Sequence, residues 1–307
     1  MNSEPLILHH YPGSPFAEKI RRILAFKALP WTSVRAPAVL PKPDLVALTG
    51  GYRKVPVLQI GNHVYCDTAL IARVIEQRCP SPALYQQPMA AALAAWADEQ
   101  LFNAALPYVL RPTRLDDMLR WFTQDELTRF AEDRRDMGKD STRPATSGKQ
   151  RRAHFSVFLG WLESALERSK YLTGEALSIA DFAAYHTLWV LAHSTPEALA
   201  GHPRVAQFVA ALEALPDPLI SSLSPEEALV VSKHSDLAWE PPSAFSDASG
   251  LTVGQTVVAR AADVGRDPVQ GTLVWAAEDE IVLRREDPRA GTVYVHFPRL
   301  GYDIAPA

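Results

Sequence analysis

The apolar positions of the chain change period several times, and each change marks an element. Leu6-Ile7-Leu8 is a continuous apolar run leading into His9-His10-Tyr11, as in a buried strand, and Pro12-Gly13 breaks it. Ser14-Pro15 is a helix start, with serine at the N-cap and proline at the first helical position. Phe16, Ile20, Ile23, Leu24 and Lys27 then recur on one helical face, with Arg21 and Arg22 turned away. Residues 31–34 predict a second strand. Residues 36–53 are polar and broken by Pro37, Pro41, Pro43 and Gly50-Gly51, so a loop is expected there. Val57, Leu58 and Ile60 make the next strand, Gly61-Asn62 is a two-residue hairpin signal, and residues 63–66 return. Asp67 or Thr68 caps a helix whose Leu70, Ile71, Val74 and Ile75 keep helical spacing. A β-α-β unit followed by β-β-α predicts an α/β thioredoxin-like domain over residues 1–82, closed by Pro80-Ser81-Pro82.

From about residue 88 to 240 the pattern predicts an all-helical domain. Residues 90–106 are apolar on nearly every face, which suits an interior helix, and 115–135 are amphipathic and polar-rich. Residues 132–150 are charged and carry Gly138, Pro144 and Gly148, the marks of a surface connection or a frayed helix end. Ser178 precedes Asp181 by three residues in front of an apolar run over 182–191, a capping-box pattern that gives both residues a structural role. After Pro241-Pro242 the character changes. Residues 244–250 are small and polar, and short β-type runs follow at 257–261, 269–275, 280–285, 292–297 and 302–305, separated by glycine and proline. They predict a small all-β domain, an SH3-like barrel, over residues 250–307.

Composition narrows the class. A chain of 307 residues suits two or three domains, and 47 % apolar with 21 % charged residues is ordinary for a soluble globular protein. A net charge of −4 gives no case for nucleic acid or an anionic membrane. No apolar run is long enough to span a bilayer, and the first residues lack the apolar core of a signal peptide, so a cytoplasmic location is expected. Two cysteines, Cys66 and Cys79, make neither a disulfide framework nor a zinc site. His186 and His193 stand seven apart without a third ligand, so no metal is expected.

The chemistry concentrates in residues 53–76. Pro56 cannot donate to a sheet ladder and forces Val55 into an extended conformation. A cis Val55-Pro56 bond would turn the N–H and C=O of Val55 outward, toward a ligand. About a dozen residues on, the helix start at Asp67-Thr68 favours anions. The segment resembles the glutathione-binding half of the thioredoxin-like domain of glutathione transferases. In that family the residue before a cis-proline pairs its backbone with the cysteinyl part of glutathione. An acidic–Ser/Thr pair at the next helix start holds the γ-glutamyl group. The resemblance assigns these tasks to Val55, Pro56, Asp67 and Thr68, and the glycyl end to Lys54; the plainer alternative for Lys54 is a solvated loop lysine. The Gly174-x-x-x-Ser178-x-Ala180-Asp181 pattern is similar to that of the family's central C-terminal helix. The resemblance covers about the first 235 residues; the β domain is not typical of the family.

Thioredoxin-like redox proteins carry Cys-x-x-Cys at the first helix start. Here that turn reads Ser14-Pro15-Phe16-Ala17, so dithiol exchange through it is excluded. The turn resembles that of serine-type glutathione transferases, whose hydroxyl donates to the glutathione sulfur. A free thiol titrates near about 8.5, and lowering that by roughly two units takes about 2.7 kcal/mol. One charge-assisted hydrogen bond at about 1.5–3 kcal/mol, helped by the helix N-terminus, is enough. Ser14 as a simple helix cap is the ordinary alternative, and Tyr11 is the competing donor. The family likeness implies a cytosolic, homodimeric glutathione S-transferase. It would conjugate glutathione, its co-substrate, to a small electrophilic, hydrophobic compound, with Phe16, Tyr108 and Trp121 as candidate walls. Two other functions stand beside it. One is a non-enzymatic binding or interaction protein that keeps the fold. The other is a glutathione-dependent reductase or peroxidase using Cys66, a residue whose ordinary reading is a buried, inert thiol.

Overall fold

The computed structural model describes residues 4–111, 113, 119, 121–235, 237, 239–247 and 249–307. The chain opens with β1 (Ile7–His10), α1 (Pro15–Phe26), β2 (Trp31–Arg35), α2 (Pro43–Thr49), β3 (Val57–Ile60), β4 (His63–Cys66) and α3 (Thr68–Arg78). β1 lies parallel to β2 and antiparallel to β3, and β3 pairs antiparallel with β4, as a thioredoxin-like α/β unit requires. Helix α2 falls where a loop was expected. Pro43 opens it, Gly50 closes it at φ 81°, and Leu45, Ala47 and Leu48 are buried. Seven residues are too few for a helical period to stand out from the surrounding prolines. On α1, Arg22 does not face away: it is buried, paired with Glu18 and Asp217, and donates to the Leu215 carbonyl. Lys27 is buried too, with its ammonium on Glu76 and on the carbonyls of Cys79 and Pro82.

The helical part follows as α4 (Ala90–Trp96), a π-helical turn (Ala97–Leu101), α5 (Phe102–Val109), α6 (Gln124–Met137), α7 (Gly148–Arg168), α8 (Ile179–Ser194), α9 (Pro203–Glu213) and α10 (Pro225–Lys233). The expected helix over 90–106 is thus interrupted by the π turn. Of the stretch 115–135, helix α6 takes the second half, and residues 115–118 and 120 lie outside the described residues. Helix α8 is buried nearly all round, and its start is closed by the capping box. Asp181 Oδ2 accepts from the Ser178 N–H and hydroxyl at 2.8 Å each, and Oδ1 accepts from the Leu172 N–H at 2.8 Å. A strand that the helical pattern hid, β5 (Ile220–Leu223), lies parallel along β2.

The C-terminal strands are β6 (Thr256–Ala261), β7 (Val269–Ala276), β8 (Glu280–Asp287), β9 (Gly291–Pro298) and β10 (Tyr302–Pro306). The first four form an antiparallel meander, and β10 returns to β6. β9 also pairs in parallel with β4, through His63–Tyr294, Val64–Val295 and Tyr65–His296. Among the described residues, the ten strands therefore share one sheet, in the order β10-β6-β7-β8-β9-β4-β3-β1-β2-β5. One apolar core joins α1 and α3 to the helices around α8. A second joins α2, β3 and β4 to the C-terminal strands. The opening α/β unit is held from both sides.

Candidate functional site

Strand direction brings three segments to one end of the sheet. β1 ends where antiparallel β3 begins, with His9 opposite Val57, and β4 ends there too, with Cys66 opposite Val57. The turn at residues 11–14, Val55-Pro56 and Asp67-Thr68 thus emerge side by side. Lys19 on α1 ties two of them together. Its buried ammonium donates to Thr68 Oγ1 at 3.2 Å and pairs with Asp98 of the π turn at 2.5 Å. The other Asp98 oxygen meets Nε2 of His186 at 3.0 Å. Burial opposes the Asp98 charge, but Lys19 and His186 outweigh it and hold the carboxyl below its usual range.

The Val55-Pro56 bond is cis. Among the described residues, no hydrogen bond reaches the N–H or C=O of Val55. Asp67, rather than Thr68, is the cap of α3: it adopts φ 78°, and its Oδ1 accepts from the Ala69 N–H at 2.9 Å. Burial raises its pKa, against the pull of the Ala69 N–H and of Lys54 and Lys19. Its other oxygen lies 3.3 Å from the hydroxyl of Tyr302, on β10. Lys54 donates to Asp263 Oδ1 at 2.9 Å, and the second oxygen of Asp263 takes Arg143 at 2.6 Å. Two of the five residues assigned to glutathione are thus in contact with the C-terminal strands and their loops. Gly51 seals the approach. At φ 139° it lies so close to the Pro268 carbonyl that a Cβ would stand 2.6 Å from the oxygen.

Ser14 caps α1, accepting from the Ala17 N–H at 3.2 Å, and is only 2 % exposed. Tyr11 is buried with its ring 5.5 Å from that of Phe122. Burial pushes its phenol up, partly offset by Arg134 and by the Ser14 hydroxyl beside it. Phe122 and Trp121 crowd Gly13. Helix α6 is strapped over this end of the sheet. Glu126 accepts from the Ala38 N–H at 2.8 Å, and Asp133 takes the Leu40 N–H at 2.9 Å and Arg53 at 2.8 Å. Of the three candidate wall residues, Phe16 is half-buried with its ring on Phe102 and His186, and Tyr108 packs on Phe155. Trp121 lines an open cleft of about 500 Å³ together with Pro12, Trp31 and Trp189. Cys66 is fully buried, and burial, with the Asp67 charge next to it, pushes its thiol well above the usual range. Among the described residues, no group of three or more His, Cys, Asp or Glu is placed to hold a metal ion, and no helix is long and apolar enough to cross a membrane.

Sequence reasoning missed Lys19, Asp98, Asp263 and Tyr302. For Asp98 a signal existed, a carboxylate at the head of the polar run Asp98-Glu99-Gln100 inside a mostly apolar stretch. For Tyr302 and Asp263 none did, because their partners are about two hundred residues away.

Residues 8–83 match the glutathione S-transferase N-terminal domain family, and residues 106–216 match its C-terminal domain. A crystal structure of a GST-like protein from Pseudomonas syringae is 39 % identical and superposes with a TM-score of 0.80. That match covers 99 % of this chain and 100 % of that one, so it takes in the C-terminal strands. FtsZ-localized protein A of Caulobacter vibrioides is 26 % identical over 193 residues, 60 % of this chain and 76 % of that protein. A glutathione S-transferase from Rhodospirillum rubrum shares the fold at 22 % identity, with a TM-score of 0.50 over 69 % of this chain and 89 % of that one. On the domain matches and the full-length likeness together, this chain belongs to the glutathione S-transferase family.

Proposed function

We propose that the chain binds glutathione at the end of the sheet where Ser14, Val55-Pro56 and Asp67-Thr68 emerge, and transfers its thiolate to an electrophilic apolar compound. The observation that carries this reading is the convergence of two helix starts and one unclaimed backbone at that place. Val55 N–H and C=O pair with the cysteinyl unit. Asp67 takes the γ-glutamyl ammonium, and the Thr68 hydroxyl, oriented by Lys19, takes its carboxylate. Lys54 exchanges Asp263 for the glycyl carboxylate. The thiol loses its proton to water, and the Ser14 O–H, whose oxygen accepts from Ala17, turns from Tyr11 to the sulfur anion and holds it. The sulfur lone pair then forms the bond to the electrophilic carbon, whose leaving group or π electrons depart. The cleft beside Pro12 and Trp121 is a candidate berth for an acceptor whose apolar part lies on Trp31, Trp121 and Trp189, since Glu18, Arg21, Arg22, Glu213 and Asp217 line the rest. Tyr11 is the second candidate donor; its raised pKa keeps it protonated.

The chain acts in the cytoplasm as a homodimer in this reading, divided at 1–82, 88–240 and 250–307. The last unit is read as an SH3-like barrel. Tyr302 on β10 touches Asp67 beside β4, although β10 and β4 are five strand steps apart in the sheet order. In a flat sheet that is about 24 Å, so the contact supports a sheet curled toward closure.

A second reading, a non-enzymatic interaction protein, is favoured by the contacts that Lys54 and Asp67 already make with the C-terminal strands and loops. The FtsZ-localized relative supports it as well. The burial of Cys66 supports neither a reductase nor a peroxidase. The test is the ultraviolet absorbance of glutathione thiolate, titrated from about pH 5 to 10 on wild type and Ser14→Ala. An early thiolate that moves up in the variant is expected. Binding without an early thiolate, or no binding, moves the assignment to the interaction protein. An early thiolate untouched by the variant reassigns the donor to Tyr11.

A further inference from the structure

We propose that Tyr302 is a positioning residue of the glutathione site: its phenol holds the Asp67 carboxylate in the orientation that receives the γ-glutamyl ammonium. This rests on the glutathione reading above. The Tyr302 hydroxyl is 3.3 Å from Asp67 Oδ2 and 3.2 Å from the Tyr52 hydroxyl. A carboxylate only accepts, and each phenol has one proton. The relay is therefore Tyr52 to Tyr302 to Asp67. Burial keeps both phenols protonated far beyond neutral pH, so the donors persist wherever the carboxylate is charged.

Among the described residues, the carboxylate of Asp67 is otherwise held only at Oδ1, by the Ala69 N–H. With one oxygen tied to the helix start and the other to Tyr302, the carboxyl plane is fixed at both ends. Each oxygen still has a lone pair for a ligand. The cap alone would leave Oδ2 to swing, and an ammonium would have to order it on binding. The residue that prevents this comes from the last strand of the chain. The C-terminal strands therefore belong to the site rather than merely standing beside it. Asp263 acts on the same site in the opposite sense, since it must release Lys54.

The experiment is calorimetric titration of the full chain with glutathione and with its deamino analogue, in which hydrogen replaces the γ-glutamyl ammonium. Wild type should prefer glutathione. In Tyr302→Phe the Kd for glutathione should rise about 10-fold, the scale of one hydrogen bond to a charged group, while the analogue changes less than about twofold. Tyr52→Phe, which removes only the donor behind Tyr302, should weaken glutathione by about two- to threefold and keeps the test valid if Tyr302→Phe unfolds. Equal weakening for both ligands would reduce Tyr302 to a structural contact and overturn the proposal, as would no change for either. A wild type that binds both ligands equally would deny Asp67 the ammonium and overturn it, leaving glutathione binding intact. A wild type that binds neither would end the glutathione reading and this proposal with it.

Discussion

Removing the charge of Lys19 tests the support under the candidate site. The side chain is 1 % exposed, and its ammonium is shared between Asp98 and the Thr68 hydroxyl. Lys19→Met keeps the stem and deletes the ammonium. Asp98 then holds a charge among the buried neighbours Ala97 and Leu101, with His186 as its remaining partner. Breaking one side of a buried pair costs about 3–5 kcal/mol. Asp98 is 20 % exposed at its side chain and keeps the imidazole, so the lower end applies, about 3 kcal/mol. Adding Asp98→Asn removes the stranded charge and keeps an acceptor for His186. The double variant should recover about 2 kcal/mol of that loss. The assay is urea unfolding at pH 7, followed by tryptophan fluorescence and by circular dichroism, with coincident transitions required before free energies are compared. His186 supplies a second readout. Burial holds it neutral against the pull of Asp98, and the Lys19 charge helps to do so. Without Lys19 the imidazole gains proton affinity, so the deficit of Lys19→Met should shrink between pH 7 and 6 as His186 takes over the pairing. A loss below about 1 kcal/mol, or a double variant no more stable than the single one, would refute the reasoning.

Two further outcomes follow from the geometry. Burial holds His9 down to about 4, and His10 and His63 down to about 3, with Arg21 adding to the effect at His10 and His296 at His63. Unfolded, all three titrate near 6.5 and bind protons the native state refuses, so stability is lost as pH falls through 6.5 toward those native values. Between pH 7.5 and 5.5 the three together remove about 4 kcal/mol, readable as a fall in urea midpoint; a flat profile would contradict their burial as neutral groups. Gly51→Ala puts a Cβ 2.6 Å from the Pro268 carbonyl at a φ that side chains rarely adopt. It should cost about 2–3 kcal/mol and speed tryptic cleavage at Arg266; an unchanged digest would show that this approach does not hold the C-terminal strands down.

What was legible in the sequence was local. Ser14-Pro15, Gly61-Asn62, Asp67-Thr68 and Ser178-x-x-Asp181 are punctuation whose physics lies within four residues, and each stands in the structure as a cap or a turn. Val55-Pro56 was legible for the same reason. The errors have the opposite character. Arg22 was turned to solvent by helical period alone, but α1 is enclosed there by the 213–217 segment, which supplies a carboxylate and carbonyls for it. Strand β5 was invisible because four residues with Ser221-Ser222 at the centre carry no alternation; only the free edge of β2 makes them a strand. Tyr302 and Asp263 read as ordinary residues of a distant β stretch, since nothing in local pattern says that β10 curls back to Asp67.

That curl follows from how the C-terminal strands are attached. Without them β4 would be a sheet edge, with Val64 and Cys66 buried beneath it and its outer backbone unpaired. β9 takes that edge over three residues, and the meander then carries β10 and the loops at 262–268 across the Gly50–Lys54 segment. The edge pairing therefore brings two groups of the C-terminal strands and loops onto the candidate site: a carboxylate on Lys54 and a phenol on Asp67. The two contacts differ in kind. The Lys54–Asp263 pair is partly exposed, 20 % and 33 % at its side chains, and Asp263 keeps Arg143 when Lys54 leaves, so a ligand carboxylate can compete for the lysine. The Tyr302–Asp67 bond is a neutral donor on a carboxylate and leaves the charge free to attract an ammonium. Glutathione entering this site would thus displace Asp263 and keep Tyr302, so the same strands would oppose one end of the tripeptide and assist the other.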